Sequence, residues 1–160
     1  SMRYDMVRIG IAAYGLSPQD ERTSQSWGLR PVMTVRGRVS AVRRVPAGTG
    51  VSYDYVYRTT KESTLALVPI GYGEGVPRSA SDSAPVEING DRYRISGRVA
   101  MDQFLVDVGD APVVLGDEVV LFGDPARGEP SAADWARACG TIAYEIVTGI
   151  GGRLTPVFVE

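Results

Sequence analysis

The chain contains no histidine and a single cysteine, Cys139. Without histidine, a Ser-His-Asp triad, a Cys-His dyad and histidine-ligated zinc are excluded within this polypeptide. One cysteine can close no internal disulfide and build no CxxC metal site, which suits a reducing, cytoplasmic setting. Lysine is almost as scarce: of 17 basic residues only Lys61 is a lysine. Chemistry that needs a lysine amine has one candidate here or draws its lysine from elsewhere. With 17 Lys and Arg against 19 Asp and Glu, the net charge is −2. That balance offers no electrostatic footprint for duplex nucleic acid or an anionic membrane. No apolar run approaches the ~20 residues of a membrane helix.

What is present suits one compact domain: 160 residues, 44% of them hydrophobic. Ser1 ahead of Met2 reads as a cloning remnant, and a chain that opens directly on a strand reads as a fragment. Met6 to Gly15 is an apolar run broken only by Arg8, which suits a strand buried on both faces. Ser17 to Ser26 is polar, holds Pro18 and reads as a linker. From Leu29 onward the pattern is antiparallel β. Strands are expected over Pro31 to Val45, Val51 to Arg58, Ser63 to Ile70, Gln103 to Val108 and Glu118 to Phe122. Pro85 to Ile88 and Arg92 to Ser96 flank Asn89-Gly90, a strong hairpin signal. Short strands at this spacing predict a mainly β, antiparallel, barrel-like domain. One or two short helices complete it: Ser131 with Asp134 starts a helix over Ala132 to Cys139, Gly140 ends it, and Thr141 to Thr148 forms a second helical turn.

Generic motifs fail. Gly10 and Gly15 have P-loop spacing, but Leu16-Ser17 stands where Lys-Ser/Thr is required. The pairs Asp107/Asp110 and Asp117/Glu118 read as solvated loop charges, so no metal site is expected. What remains is a set of polar groups in apolar surroundings. Arg8, in a run expected to be buried, would need an anionic or acceptor partner. Tyr53, Tyr55 and Tyr57 would share one strand face, with Tyr55 and Tyr57 packing inside the barrel. Tyr72, in a glycine-flanked loop after an apolar strand, is presented at a strand end. Met101-Asp102 lies between two β segments, after Gly97-Arg98-Val99-Ala100.

In order along the chain these blocks are more specific. Met6-Val7-Arg8-Ile9-Gly10-Ile11-Ala12-Ala13-Tyr14-Gly15, Val51-Ser52-Tyr53, Pro69-Ile70-Gly71-Tyr72-Gly73-Glu74-Gly75 with Arg78, Gly97 to Gln103, and Ala143-Tyr144-Glu145 follow one another across nearly the whole sequence. Together they resemble the C-terminal portion of alanine racemase, a pyridoxal phosphate (PLP) enzyme that interconverts L- and D-alanine. The resemblance implies that residues 1–16 are the end of a PLP-binding barrel, 17–28 a linker and 29–160 the C-terminal β-domain. It also implies a homodimer in which this domain packs against the second subunit's barrel.

The resemblance assigns roles as well. Tyr53 matches the tyrosine base offered to the partner's active site, opposite the PLP lysine. Lys61 does not match that lysine; it lies in a hairpin turn, and the matching residue belongs to the barrel. Arg8 matches the arginine facing the pyridine nitrogen, Gly10 and Ile11 match backbone phosphate donors, and Tyr144 a phosphate-binding hydroxyl. Met101 matches a main-chain N–H for the substrate carboxylate. Tyr72, Arg78, Arg98 and Asp102 match residues of the substrate entrance, where phenols and paired charges favour a small zwitterion. A phenol ordinarily ionises near ~10, so a tyrosine base needs cations or hydrogen bonds around it. Asp54 stands where the family usually has glycine, and strand alternation would turn it away from Tyr53. Gly73-Glu74-Gly75 stands in place of Ala-Asp-Gly, keeping the acid and the turn.

The expected function is therefore the C-terminal domain of an alanine racemase supplying D-alanine for peptidoglycan in the cytoplasm, with alanine and a second subunit as partners and neither nucleic acid nor membrane. The isolated chain is expected to be inactive and to lack bound PLP. Two other readings stand beside it: a racemase of broader amino-acid specificity, and a non-catalytic β-barrel interaction module, which would need a basic groove with exposed aromatics.

Overall fold

A computed structural model describes residues 5–19 and 21–159. The expected remnant at Ser1-Met2 lies outside the described residues, as do Asp20 of the expected linker and Glu160. The strands are β1 (Val35–Arg38), β2 (Ala41–Val45), β3 (Gly50–Val51), β4 (Tyr57–Arg58), β5 (Ser63–Val68), β6 (Pro85–Ile88), β7 (Asp91–Arg94), β8 (Phe104–Gly109) and β9 (Glu118–Phe122), followed by the helices α1 (Ala132–Cys139) and α2 (Ala143–Gly149). All ladders are antiparallel, in sheets ordered β1-β9-β6-β7, β2-β5-β8 and β3-β4.

The two larger sheets are joined on both sides. Beyond β7, Ile95 bridges Val106 of β8. Between β1 and β2, the Val39 N–H donates to the Asp117 carbonyl and the Ser40 N–H to the Leu67 carbonyl, so one short segment serves both sheets. The result is the mainly β, antiparallel domain with two short helices that the turn spacing predicts. Its core follows the alternation: Val86 and Ile88 of β6, with Phe104, Val106 and Val108 of β8, point inward.

Helix α1 starts where its sequence dictates. The Ser131 Oγ accepts from the Asp134 N–H at 3.0 Å and the Asp134 carboxylate accepts from the Ser131 N–H at 2.8 Å, satisfying donors that a helix start otherwise leaves orphaned. This lays Trp135 into the core, its ring edge-on to Phe122 at 6.0 Å and its indole N–H donating to the Leu121 carbonyl at 2.6 Å. Truncating such a side chain to alanine costs about 3–5 kcal/mol.

Several expectations need correcting. Residues 6–10 form no ladder, and Met6, Val7, Arg8 and Ile9 are exposed, because no described strand lies beside them to pair with; Ile11–Tyr14 is a 3₁₀ turn instead. Within the expected linker, Thr23 caps a 3₁₀ turn over Ser24–Trp27. Asp107 and Glu118 lie in strands, and Asp107 accepts from the Tyr57 hydroxyl at 2.8 Å. Lys61 lies exposed in its turn, as expected, and is ion-paired with Asp110 at 2.7 Å. No helix among the described residues is long and apolar enough to cross a membrane.

Candidate active site

The expected strand from Val51 to Arg58 is broken in its middle. Between β3 and β4 the chain makes a 3₁₀ turn over Tyr53–Tyr55, with Ser52 at φ 59°, Asp54 at φ 60° and Tyr55 at φ 49°. Ser52, at ψ −164°, sits in a region that is essentially glycine's, and each such residue costs on the order of 1–3 kcal/mol. The turn holds because its neighbour grips it. The Ser52 hydroxyl donates to the Arg98 carbonyl at 2.7 Å, and the Arg98 Nε donates to the Asp54 carboxylate at 2.6 Å. Gly97 allows the approach: a Cβ there would stand 2.6 Å from the Val51 carbonyl oxygen.

Because the segment turns, the three tyrosines do not share a face. Tyr57 packs half-buried against Val45, Val51 and Leu65, as expected, but Tyr55 is exposed, and Tyr53 is 67% exposed. Asp54 is not turned away on an opposite strand face either; it closes on Arg98. An aspartate adopts the left-handed conformation more readily than most residues, which reconciles it with a position where the family usually has glycine.

After β5 the chain passes Pro69 and Ile70 into a 3₁₀ turn over Tyr72–Glu74 that lies flat on the Ala100–Met101 backbone. The Tyr72 N–H donates to the Ala100 carbonyl at 3.1 Å and the Gly73 N–H to the Met101 carbonyl at 2.7 Å. Beneath the turn is a buried carboxylate. Glu74, 3% exposed, accepts from the Gly71 N–H at 2.8 Å and from the Arg153 Nε at 2.6 Å. The Arg153 guanidinium, outweighing burial, holds its carboxyl below the usual range.

These two turns frame an open concavity of about 490 Å³, lined by Tyr53, Tyr72, Arg78, Met101, Asp102 and Gln103 among others. An adjoining hollow of about 250 Å³ shares Tyr53 and Gln103 with it. The structure thus brings Tyr53 together with Met101 and with the expected entrance residues Tyr72, Arg78 and Asp102. Arg98 does not line the concavity; its guanidinium is engaged by Asp54 instead. The Met101 N–H makes no hydrogen bond among the described residues. Gln103, Ser52, Asp54 and Arg153 also belong to this site but are given no site role by sequence; Ser52 and Gln103 lie inside the matching blocks and Asp54 stands out only as a departure, while Arg153 carries no signal.

The second expected group lies elsewhere. Arg8, Gly10, Ile11 and Tyr144 do not line the concavity. Gly10 leads into the Ile11–Tyr14 turn with nothing near the place a Cβ would occupy, and Tyr144 of α2 rests edge-on against Tyr14 at 5.4 Å. Uncovered backbone, a phenol and an exposed guanidinium are donors suited to an anion such as a phosphate ester. No lysine accompanies them. Among the described residues no group of three His, Cys, Asp or Glu side chains could hold a metal ion.

Fold and site define an antiparallel β domain that presents a phenol on a strained, clamped turn above an open mouth. Residues 32–158 match the alanine racemase C-terminal domain family, and the chain belongs to that family. It is 57% identical over 153 residues to the alanine racemase of Salinispora arenicola, covering 96% of this chain and 40% of that protein. Among solved structures, the alanine racemase from Streptomyces lavendulae superposes with a TM-score of 0.92 at 55% identity, over 94% of this chain and 40% of that one. That from Pseudomonas aeruginosa gives 0.83 at 34% identity, over 91% and 40%. The chain therefore spans about two fifths of the length of the relatives it matches.

Proposed function

We propose that the chain is the tyrosine-bearing domain of a PLP-dependent alanine racemase that acts as a homodimer in the cytoplasm and supplies D-alanine for peptidoglycan. The observation that carries this reading is the exposed Tyr53 hydroxyl on a clamped turn, in one concavity with Met101 and Tyr72. Exposure is what a base needs if its substrate lies on another subunit.

In this reading Tyr53 Oη takes the α-proton of L-alanine on one face and returns it to Cα when D-alanine is consumed; a lysine outside this chain works on the opposite face. The unpartnered Met101 N–H holds the substrate carboxylate. Tyr72, Arg78 and Asp102 narrow the approach to a small zwitterion. The donors at Gly10, Ile11 and Tyr144 fit the phosphate end of PLP, and Arg8 fits the pyridine nitrogen. When bound, PLP supplies the electron sink that acidifies the α-proton. A guanidinium gives up its proton only with difficulty, so Arg8 would keep the cofactor nitrogen unprotonated. The phosphate and phenol groups lie in different parts of this chain, as they would if each served a different active site of the dimer.

The 160-residue chain alone should neither bind PLP nor turn over alanine, because it contributes only part of each site. The test is Tyr53→Phe in the full-length holoenzyme. L-Alanine α-proton exchange with deuterated water should fall at least ~100-fold, with the cofactor absorbance spectrum retained. Exchange at the parent rate would remove Tyr53 from the role of base.

A further inference from the structure

We propose that Arg98 is the positioning residue for Tyr53: its carbonyl oxygen and its guanidinium hold Ser52 and Asp54, the residues on either side of that tyrosine. The inference rests on the reading of Tyr53 as a base and gives Arg98 a role other than the entrance lining that the resemblance implies.

The geometry carries it. Three of the four residues from Ser52 to Tyr55 are left-handed, a backbone that would relax if released. The 2.7 Å bond from the Ser52 hydroxyl anchors the turn before Tyr53, and the 2.6 Å pair with Asp54 anchors it after. Both anchors end on one residue, and that residue is seated by Gly97, where a side chain would strike the Val51 carbonyl. The Tyr53 hydroxyl makes no hydrogen bond among the described residues, so the backbone of its turn fixes where that hydroxyl stands. An ion pair whose carboxylate is 64% exposed contributes little as a free-standing pair. Attached to a strained backbone it has leverage, because the turn cannot relax without breaking it. The same contact occupies the Asp54 carboxylate and keeps it off the phenol beside it.

The experiment uses the full-length holoenzyme and isotope effects measured with α-deuterated L- and D-alanine. Arg98→Met removes the guanidinium, and Asp54→Gly removes its partner while suiting φ 60°. Displacing a base by a fraction of an ångström should lower kcat/KM by roughly 10-fold in each variant. The isotope effect should rise for L-alanine, whose proton Tyr53 takes, and fall toward unity for D-alanine. The double variant should be no worse than either single one, since both break one contact. Arg98→Lys should recover part of the loss. Ser52→Ala tests the other anchor and gives the same isotope signature, even if Arg98→Met does not fold.

A raised KM with both isotope effects unchanged, or Asp54→Gly and Ser52→Ala indistinguishable from the parent, would deny Arg98 any positioning role and overturn the proposal. Tyr53→Phe in the same series separates this outcome from the other. If Tyr53→Phe keeps its proton exchange, the base is misassigned; if it loses exchange while the clamp variants leave the isotope effects untouched, only the positioning role fails.

Discussion

The Glu74 carboxylate meets the Arg153 guanidinium at 2.6 Å and so ties the Tyr72 turn to a segment 79 residues further along the chain. Glu74 is buried and also receives the Gly71 N–H, so both ends of the turn depend on it.

Replacing Glu74 with alanine strands a buried N–H and removes the pair, and should cost about 2 kcal/mol in denaturant unfolding. Glu74→Gln, which can still accept from Gly71, should lose less. The pH dependence has a definite sign. A carboxyl held below its unfolded value contributes stability that is present above about 4.3 and is lost as pH falls through its folded value. The gap between parent and Glu74→Gln should therefore be full at neutral pH and close in acid; a constant gap would show that charge is not what the pair contributes.

Tyr57 offers the opposite limb. Burial, reinforced by its hydrogen bond to Asp107, pushes its phenol up to about 12. Its contribution is complete below the ordinary phenol value of ~10 and is lost as pH rises through about 12. Tyr57→Phe should cost about 1 kcal/mol near neutrality and should flatten alkaline unfolding across that window. Ultraviolet titration of the folded chain should lose its latest-ionising tyrosine in the same variant.

Gly71→Ala should misplace the Tyr72 turn. Its φ of −146° is ordinary, so the objection is space: a Cβ would lie 2.3 Å from the Ala100 carbonyl oxygen. Backbone must move, at a cost of about 2–3 kcal/mol. Gly151→Ala, where nothing lies within 4 Å, is the control and should unfold within about 0.5 kcal/mol of the parent.

Ser131→Ala should cost about 1 kcal/mol by opening the start of α1, and Ser131→Asp should recover most of it. Thermal unfolding monitored by circular dichroism separates the three proteins.

Much of the fold could be read from the residues. The Asn89-Gly90 turn placed the β6–β7 hairpin, and Ser131, Asp134 and Gly140 bounded α1. The site was legible as a set: Tyr53, Tyr72, Arg78, Met101 and Asp102 do converge. What misled was period two. Val51 to Arg58 alternates well enough for a strand, yet Ser52, Asp54 and Tyr55 adopt positive φ, a conformation that composition signals through glycine, asparagine or aspartate, and of the three only Asp54 carries that signal. The grip of Arg98 on that turn joins residues 44 apart and leaves no local trace. Apolar Met6 to Ile9 looked buried because hydropathy reports what a segment would prefer; burial also requires something to lie against it.

The close seat of the Tyr72 turn on the Gly149–Gly152 stretch has a consequence for how this protein can change. A Cβ on Gly75 would lie 1.8 Å from the Gly149 carbonyl oxygen, and one on Gly152 would lie 2.5 Å from that of Gly73. Neither segment can accept bulk unless the other retreats, so drift in one constrains drift in its distant counterpart. A library that varies one of these stretches would therefore do well to randomise the other with it.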